Sequence, residues 1–257
     1  MLLSSIIAAS RRRTESGGGY DADAAVWFAA LVSAGSSITD PNKAAVSAFI
    51  AGLKSDGTWA ALDTLVLLCA ADSLAGALVP VLGPTPTSTI SAGNYDRVTG
   101  LTGQSTKRVA SNRLANVSPQ DDASGWVHVS GIAAGTGVIQ SLFTPSGGGL
   151  FQLQLTAADA ILASVNATAA FPAGSLTGAS GLVGFSRASS ANFTFHAFGT
   201  DATVTKTSTG RNANGIYVMS RSTVEYLQGN CSAYGFGTAV NLAAINTRLA
   251  TLMASLT

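Results

Sequence analysis

Along this chain the spacing of apolar positions changes character twice. From Asp21 to about residue 63 they recur at helical spacing, with Trp27, Phe28, Leu31 and Val32 on one helix face and Val46, Phe49, Ile50 and Leu53 on a second. Asp21 and Asp23 are suited to cap the first helix, and Gly35 stands where a helix ends. Asp40 as cap and Pro41 at the first position announce the second. After the Asp56-Gly57 turn and Trp59, the apolar run Thr64 to Ala70 reads either as a strand buried on both faces or as a helix end.

From Leu74 onward the period falls to two and turn residues recur every ten positions or so, an all-β signature. Phe151, Leu153 and Leu155 alternate with Gln152 and Gln154, and Ile161, Ala163 and Val165 continue the pattern. Phe193 and Phe195 alternate with Thr194 and His196, and Ile216 and Val218 with Tyr217 and Met219. Further strands are predicted near residues 126–132, 138–144, 182–188, 203–207 and 224–227, with Gly147 to Gly149 as a hairpin tip. The end reverts to helix, because Leu242, Ile245, Leu249, Leu252 and Leu256 are spaced 3, 4, 3, 4. That stripe can pack on the sandwich or zip against a copy of itself, and its two heptads favour the first.

These periods predict a mainly β protein: a two-sheet antiparallel jelly-roll sandwich with N-terminal helices and a C-terminal helix. The expected organisation is a docking arm over 1–20, a helical region over 21–63, the sandwich over 64–240 and the closing helix over 241–257. In the arm, Leu2, Leu3, Ile6 and Ile7 precede Arg11 to Arg13, the reverse of a secretory signal's order, so they are expected to dock on a partner protein; a cleaved signal is the alternative. The apolar stretch is too short to insert across a bilayer, which takes about 20 residues.

Composition narrows the partners. Charged residues make up 11% of the 257 positions, with a net charge of +1. A surface built from Ser, Thr, Asn, Gln and Gly is poorly defended against self-association, which suits a homo-oligomer inside an assembly, and near-neutrality argues against nucleic acid. Cys69 and Cys231 form no framework, and no Cys/His cluster suggests a metal or another cofactor.

The segment from Asn94 to Arg113 carries a family likeness. Tyr95, Gly100, Leu101, Gly103, Ser105 and Lys107 resemble the recurrent turn of lectin-like, concanavalin A-type jelly-roll proteins borne by tailed bacteriophages and gene-transfer agents. The order of the flanking pieces resembles that family too: DADAAVWFAAL, GLKSDGTWAAL, LVLLCAADSLAGALVPVLG, then GLVGFSRASSANFTFHAFG and the final AYGFGTAVNLAAINTRLATLM. The resemblance implies a non-enzymatic structural protein of a virion, on a fibre, spike or decoration, with other virion proteins as partners and host-surface polysaccharide as ligand.

Candidate chemistry is sparse. A glycosidase on this fold needs two carboxyl groups about 5–9.5 Å apart. The strand-region acids are Asp159, Asp201 and Glu225, each expected at a turn or solvated face; Asp121-Asp122 reads as a loop. Neither His128 nor His196 stands near a recognisable nucleophile. Trp126 and His128 alternate onto one outward face, and Tyr217 onto an equivalent one, so the three form a candidate glycan plate, with cover by a helix as the competing reading. Lys107, Arg108 and Arg113 lack acidic neighbours in sequence and are expected to mark a sheet edge. A free-standing secreted lectin and a polysaccharide-cleaving enzyme remain the alternatives.

Overall fold

The computed structural model describes residues 19–133, 139–146, 150–168, 180–221 and 225–257. Helix α1 (Ala22–Ser33) starts where Asp21 Oδ1 accepts from Asp23 N at 2.9 Å and Ala24 N at 3.4 Å. It buries Ala24, Trp27, Phe28 and Leu31, but Val32, expected on that face, is 71% exposed. The apolar stripe is one residue narrower than its sequence suggests, because Trp27 anchors the rotation by donating to Val79 O at 2.9 Å. Helix α2 (Asp40–Ser55) is capped by Thr39, whose backbone is extended and whose Oγ1 accepts from Asn42 N; Asp40 is already helical and pairs with Lys43 at 2.7 Å. A short turn of helix, α3 (Leu74–Ala77), and a closing helix, α4 (Leu242–Ser255), complete the helical elements. None of the described helices is long and apolar enough to cross a membrane.

The strands are β1 (Leu62–Leu67), β2 (Thr87–Ser88), β3 (Tyr95–Asp96), β4 (Gly100–Thr102), β5 (Val109–Leu114), β6 (Ala123–Ser130) and β7 (Gln140–Pro145). They continue as β8 (Phe151–Leu155), β9 (Ile161–Val165), β10 (Gly181–Arg187), β11 (Asn192–Ala197), β12 (Thr200–Thr205), β13 (Gly215–Val218) and β14 (Asn230–Gly237). The larger sheet runs β12-β11-β10-β6-β14-β4-β3, with β1 also on β14; the smaller runs β2-β5-β13-β7-β8-β9. All pairings between these strands are antiparallel, so the predicted two-sheet sandwich is the observed one. The run beginning at Thr64 is resolved as strand, and residues 225–226 make only isolated bridges. Gly147 to Gly149 lie outside the described residues.

Between the sheets, Phe143 and Phe151 of the smaller meet Phe185 and Phe236 of the larger at centroid distances of 5.1–6.0 Å. Edge-to-face contact of such rings adds about 0.5–1.5 kcal/mol per pair to the burial itself. A second apolar layer lies on the other face of the larger sheet, where Leu65, Leu67, Trp126, Leu182 and Ala233 meet Leu31, Ile50, Ile245 and Leu249 of the helices. The Leu242 to Leu256 stripe is spent there, inside the chain. Buried Asn42 seals this layer: its Nδ2 donates to Ala70 O at 3.3 Å and its Oδ1 accepts from Thr257 N at 3.1 Å.

Arg113, expected to lack an acidic partner, has one brought from the other sheet. Its Nε and Nη2 donate to Asp63 at 2.6 and 2.7 Å, and Nη2 also to Ser118 Oγ at 2.6 Å. The carboxylate offsets the cost of burying this guanidinium and clasps β5 to β1. Cys69 and Cys231 are buried free thiols, pushed up to about 12 by their burial.

Candidate functional site

Strand β6 places Val127 and Val129 between the sheets and Trp126, His128 and Ser130 on the face toward the helices. Trp126 lies opposite Gly184 of β10 and Gly235 of β14. A Cβ at those glycines would come within 2.5 and 2.4 Å of it, so the two glycines form the slot for the indole. The ring is 0% exposed beneath the helical layer, with no hydrogen-bond partner for Nε1 among the described residues. It is a core residue of the helix-covered face rather than a surface plate.

His128 sits two residues on, where cover by α4 gives way to a cleft of about 410 Å³. A β-bulge between Cys231 and Ala233 brings Ser232 beside it, with Ser232 Oγ 2.6 Å from Nδ1. Burial lowers the imidazole to about 4, so it is neutral at pH 7. The cleft's walls are Thr99, Ser130, Ser180 and Asn246 on the polar side and Val98, Phe198, Ala250 and Met253 on the apolar side. No charged side chain lines it among the described residues.

Three local devices hold these walls. Asp96 Oδ1 accepts from Val98 N at 2.9 Å and from Thr99 N at 2.8 Å, which fixes the turn and holds the carboxyl below its ordinary range. This is the turn that carried the family likeness. Asn246 Oδ1 accepts from Leu182 N at 3.1 Å, pinning α4 to the start of β10. Phe198 and Gly199 form the two-residue tip between β11 and β12, with φ of 49° and 90°. That is the geometry of a type I′ turn, which favours Asn-Gly and costs a bulky first residue on the order of 1 kcal/mol or more.

The tip is braced from behind. His196 Nδ1 lies 2.6 Å from Asp201 Oδ1, and His196 Nε2 accepts from Gly199 N at 3.1 Å. The acceptor role of Nε2 places the ring proton on Nδ1, facing the carboxylate. Phe198 N also donates to Leu182 O at 3.0 Å. A strained, partly buried aromatic, held by its own chain of polar contacts, thus lines the cleft.

The three residues predicted as one plate are therefore separated. Trp126 is roofed and His128 lines the cleft, while Tyr217 faces outward on the smaller sheet with the Arg108 guanidinium 4.1 Å from its ring centroid. Distance across the sandwich forbids a shared ligand. Leu2, Leu3, Ile6 and Ile7 lie outside the described residues. Of the acids, Asp201 braces the hairpin, Glu225 pairs with Arg221, and Asp159 occupies a turn at φ 59°. Asp121 and Asp122 are engaged by Ser208 Oγ and by Ala239 N. Arg187, from the GFSR stretch, is fully buried and donates to the carbonyls of Val165, Ser189 and Lys206 at 2.8–2.9 Å, a structural knot. Sequence reading missed Phe198 and Asn246. A Phe-Gly pair where a hairpin wants Asn-Gly was the available signal for Phe198; Asn246 had none, since its role depends on where α4 docks.

No protein-family profile and no curated protein matches the chain. Solved structures do. A Trypanosoma rangeli sialidase superposes with a TM-score of 0.52 at 12% identity, over 83% of this chain and 39% of that one. A mutant of that enzyme displaying trans-sialidase activity gives 0.52 at 11% identity, over 81% and 39%. The binding domain of botulinum neurotoxin serotype D gives 0.50 at 10% identity, over 76% and 51%. The chain thus spans about two fifths of the sialidases and half of the toxin domain. The expectation of a non-enzyme is corrected by these likenesses, since sialidases that share the architecture are enzymes and the catalytic alternative stays open. What the chain shares with all three is a β-sandwich fold.

Proposed function

We propose that this chain is a glycan-binding β-sandwich protein whose ligand site is the cleft between Phe198, His128 and Asn246. The observation that carries the reading is Phe198, held in a left-handed turn in the cleft wall. An apolar ring face beside hydroxyl and amide groups suits a sugar, whose flat face stacks while its hydroxyls hydrogen-bond. Thr99, Ser130 and Asn246 supply the polar contacts, and neutral His128 adds a ring nitrogen. With no cation in the described lining, the fitting ligand is an uncharged saccharide. The sialidase and toxin-domain likenesses support a glycan-related sandwich at the level of fold.

The likeness around Asn94 to Arg113 supports a more specific setting: display on a phage-like particle, docked to other virion proteins by residues 1–20 and facing host polysaccharide. Weak single-site binding would then gain from multivalent display.

The site is tested by titrating neutral oligosaccharides into the wild type and Phe198→Asn. Asparagine keeps the turn's preferred chemistry while removing the ring, so affinity falls about tenfold with thermal stability unchanged or raised. Equal binding by both proteins moves the site elsewhere. Release of reducing sugar in the same mixtures would establish the enzyme. The setting is tested separately: deleting residues 1–20 abolishes incorporation into particles, and unchanged incorporation rejects the arm.

A further inference from the structure

A second hollow opens on the same face of the larger sheet as the cleft. The cleft meets the start of β10 and the end of β11; this hollow, of about 310 Å³, meets the end of β10 and the start of β11. Its lining is Ser186, Ser189, Asn192 and Thr194 beside Ala239 and Val240. These polar groups have bonding capacity to spare. Ser186 Oγ accepts from Val240 N at 2.9 Å and keeps its own proton to donate. Asn192 Oδ1 accepts from Ser189 Oγ at 3.2 Å and leaves Nδ2 as a donor.

The hollow and the cleft share a floor and a wall. Phe193, Phe195 and Val204 point between the sheets, so Asn192, Thr194 and His196 of β11, with Thr205, Thr203 and Asp201 of β12 opposite them, point to the other face. Helix α4 packs over β10, with Ile245 and Leu249 in one apolar layer with Leu182, and leaves this row beyond its flank. Asn192, Asp201, Thr203 and Thr205 are exposed and Thr194 is half-buried. Along that flank Ala243, Asn246, Ala250 and Met253 follow one position after the buried stripe, and the last three line the cleft. The wall from Val240 to Met253 is on the order of 20 Å long at helical rise. On the floor, Gly181 to Ser186 spans about 17 Å at strand rise, a length that about four pyranose rings cover.

On the glycan reading of the cleft, we propose that cleft and hollow are the two ends of one groove, which takes a linear, uncharged oligosaccharide of about four rings along β11 beside α4. Hydroxyl and amide groups at both ends match sugar hydroxyls, and neither lining includes a charged side chain among the described residues. Asp201 on the shelf, its side chain 50% exposed, repels acidic sugars. Each further ring adds its own hydrogen bonds, so affinity climbs with chain length until the groove is full.

Calorimetric titration with neutral fragments of cellulose, starch and galactan, graded in length from a single ring upward, tests this. In the series that binds, affinity rises about tenfold from disaccharide to tetrasaccharide and then levels off. Asn192→Ala with Thr194→Val lowers tetrasaccharide affinity to the disaccharide level at an unchanged melting temperature, because Asn192 is exposed and valine keeps the β-branched shape of threonine. Phe198→Asn weakens both ligands. Affinity that levels off at the disaccharide, or a tetrasaccharide bound equally by wild type and the double variant, overturns the groove and leaves the cleft standing. Disaccharide binding untouched by Phe198→Asn, or no binding in any series, rejects the cleft and the groove with it.

Discussion

The outward faces of the two sheets differ in composition, and the difference follows from what each one meets. On the larger sheet the outward positions Leu65, Leu67, Trp126 and Leu182 are apolar and pack beneath the helices. Across the smaller sheet the outward row runs Thr87, Ala110, Tyr217, Thr144, Gln152, Ser164 from β2 to β9, largely polar. Polarity there does not mean exposure, since Thr144, Gln152 and Ser164 are buried while Thr87, Ala110 and Tyr217 toward the β2 edge reach solvent; the two outward faces differ in the chemistry of their cover. Alternation therefore names a face and says nothing of its cover, which is why Trp126 and Tyr217, equivalent in the sequence pattern, have opposite surroundings.

The sharpest way to break this contrast is to truncate both aromatics. Trp126→Ala leaves a cavity under the helices and costs about 3–5 kcal/mol in urea unfolding, whereas Tyr217→Ala stays within about 1 kcal/mol. Similar losses at the two sites would remove the distinction between the roofed indole and the half-buried phenol.

His128 offers a smaller effect of defined sign. Its ordinary value of 6.5 is lowered to about 4 in the fold. The unfolded chain therefore binds its proton as pH falls through 6.5, while the folded chain does so only near 4, so the fold loses stability across that window. The loss is on the order of 3 kcal/mol. Comparing wild type with His128→Gln at pH 7 and pH 4.5 isolates it from the carboxylates; a constant difference between the two proteins would show an imidazole already hydrated in the cleft.

The same contrast explains what could be read from the sequence. β8 and β9 were visible residue by residue because polar Gln152 and Gln154 alternate with the apolar positions that face the sandwich core, although every residue of β8 is buried. The α4 stripe was visible for the same reason, with all five apolar positions buried. Central strand β14 was not, since NCSAYGFG must be small where it passes other groups. Gly235 yields to the Trp126 indole, and a Cβ at Gly237 would lie 2.0 Å from Ala61 O. Those constraints come from residues about 110 to 175 positions away, and no local window contains them. The cleft was half legible: the Asp96 to Gly100 turn and His128 stood out, but Phe198 and Asn246 acquire meaning only when the hairpin tip and α4 meet at the start of β10.

The smallest expected effect lies on the outward face of the smaller sheet and decides how Tyr217 is used. Arg108 covers its ring at 4.1 Å, both side chains being half-buried. A cation over an aromatic at such a site contributes about 0.5–1 kcal/mol, so a double-mutant cycle of Arg108→Ala and Tyr217→Ala should show coupling of that order. Tyr217→Phe keeps the ring under the guanidinium and should preserve the coupling. Because one ring face is already occupied, Tyr217 has less surface to offer a sugar than Phe198. Glycan affinity should therefore survive Tyr217→Ala, and its loss there, with Phe198→Asn silent, would transfer the binding site to the smaller sheet.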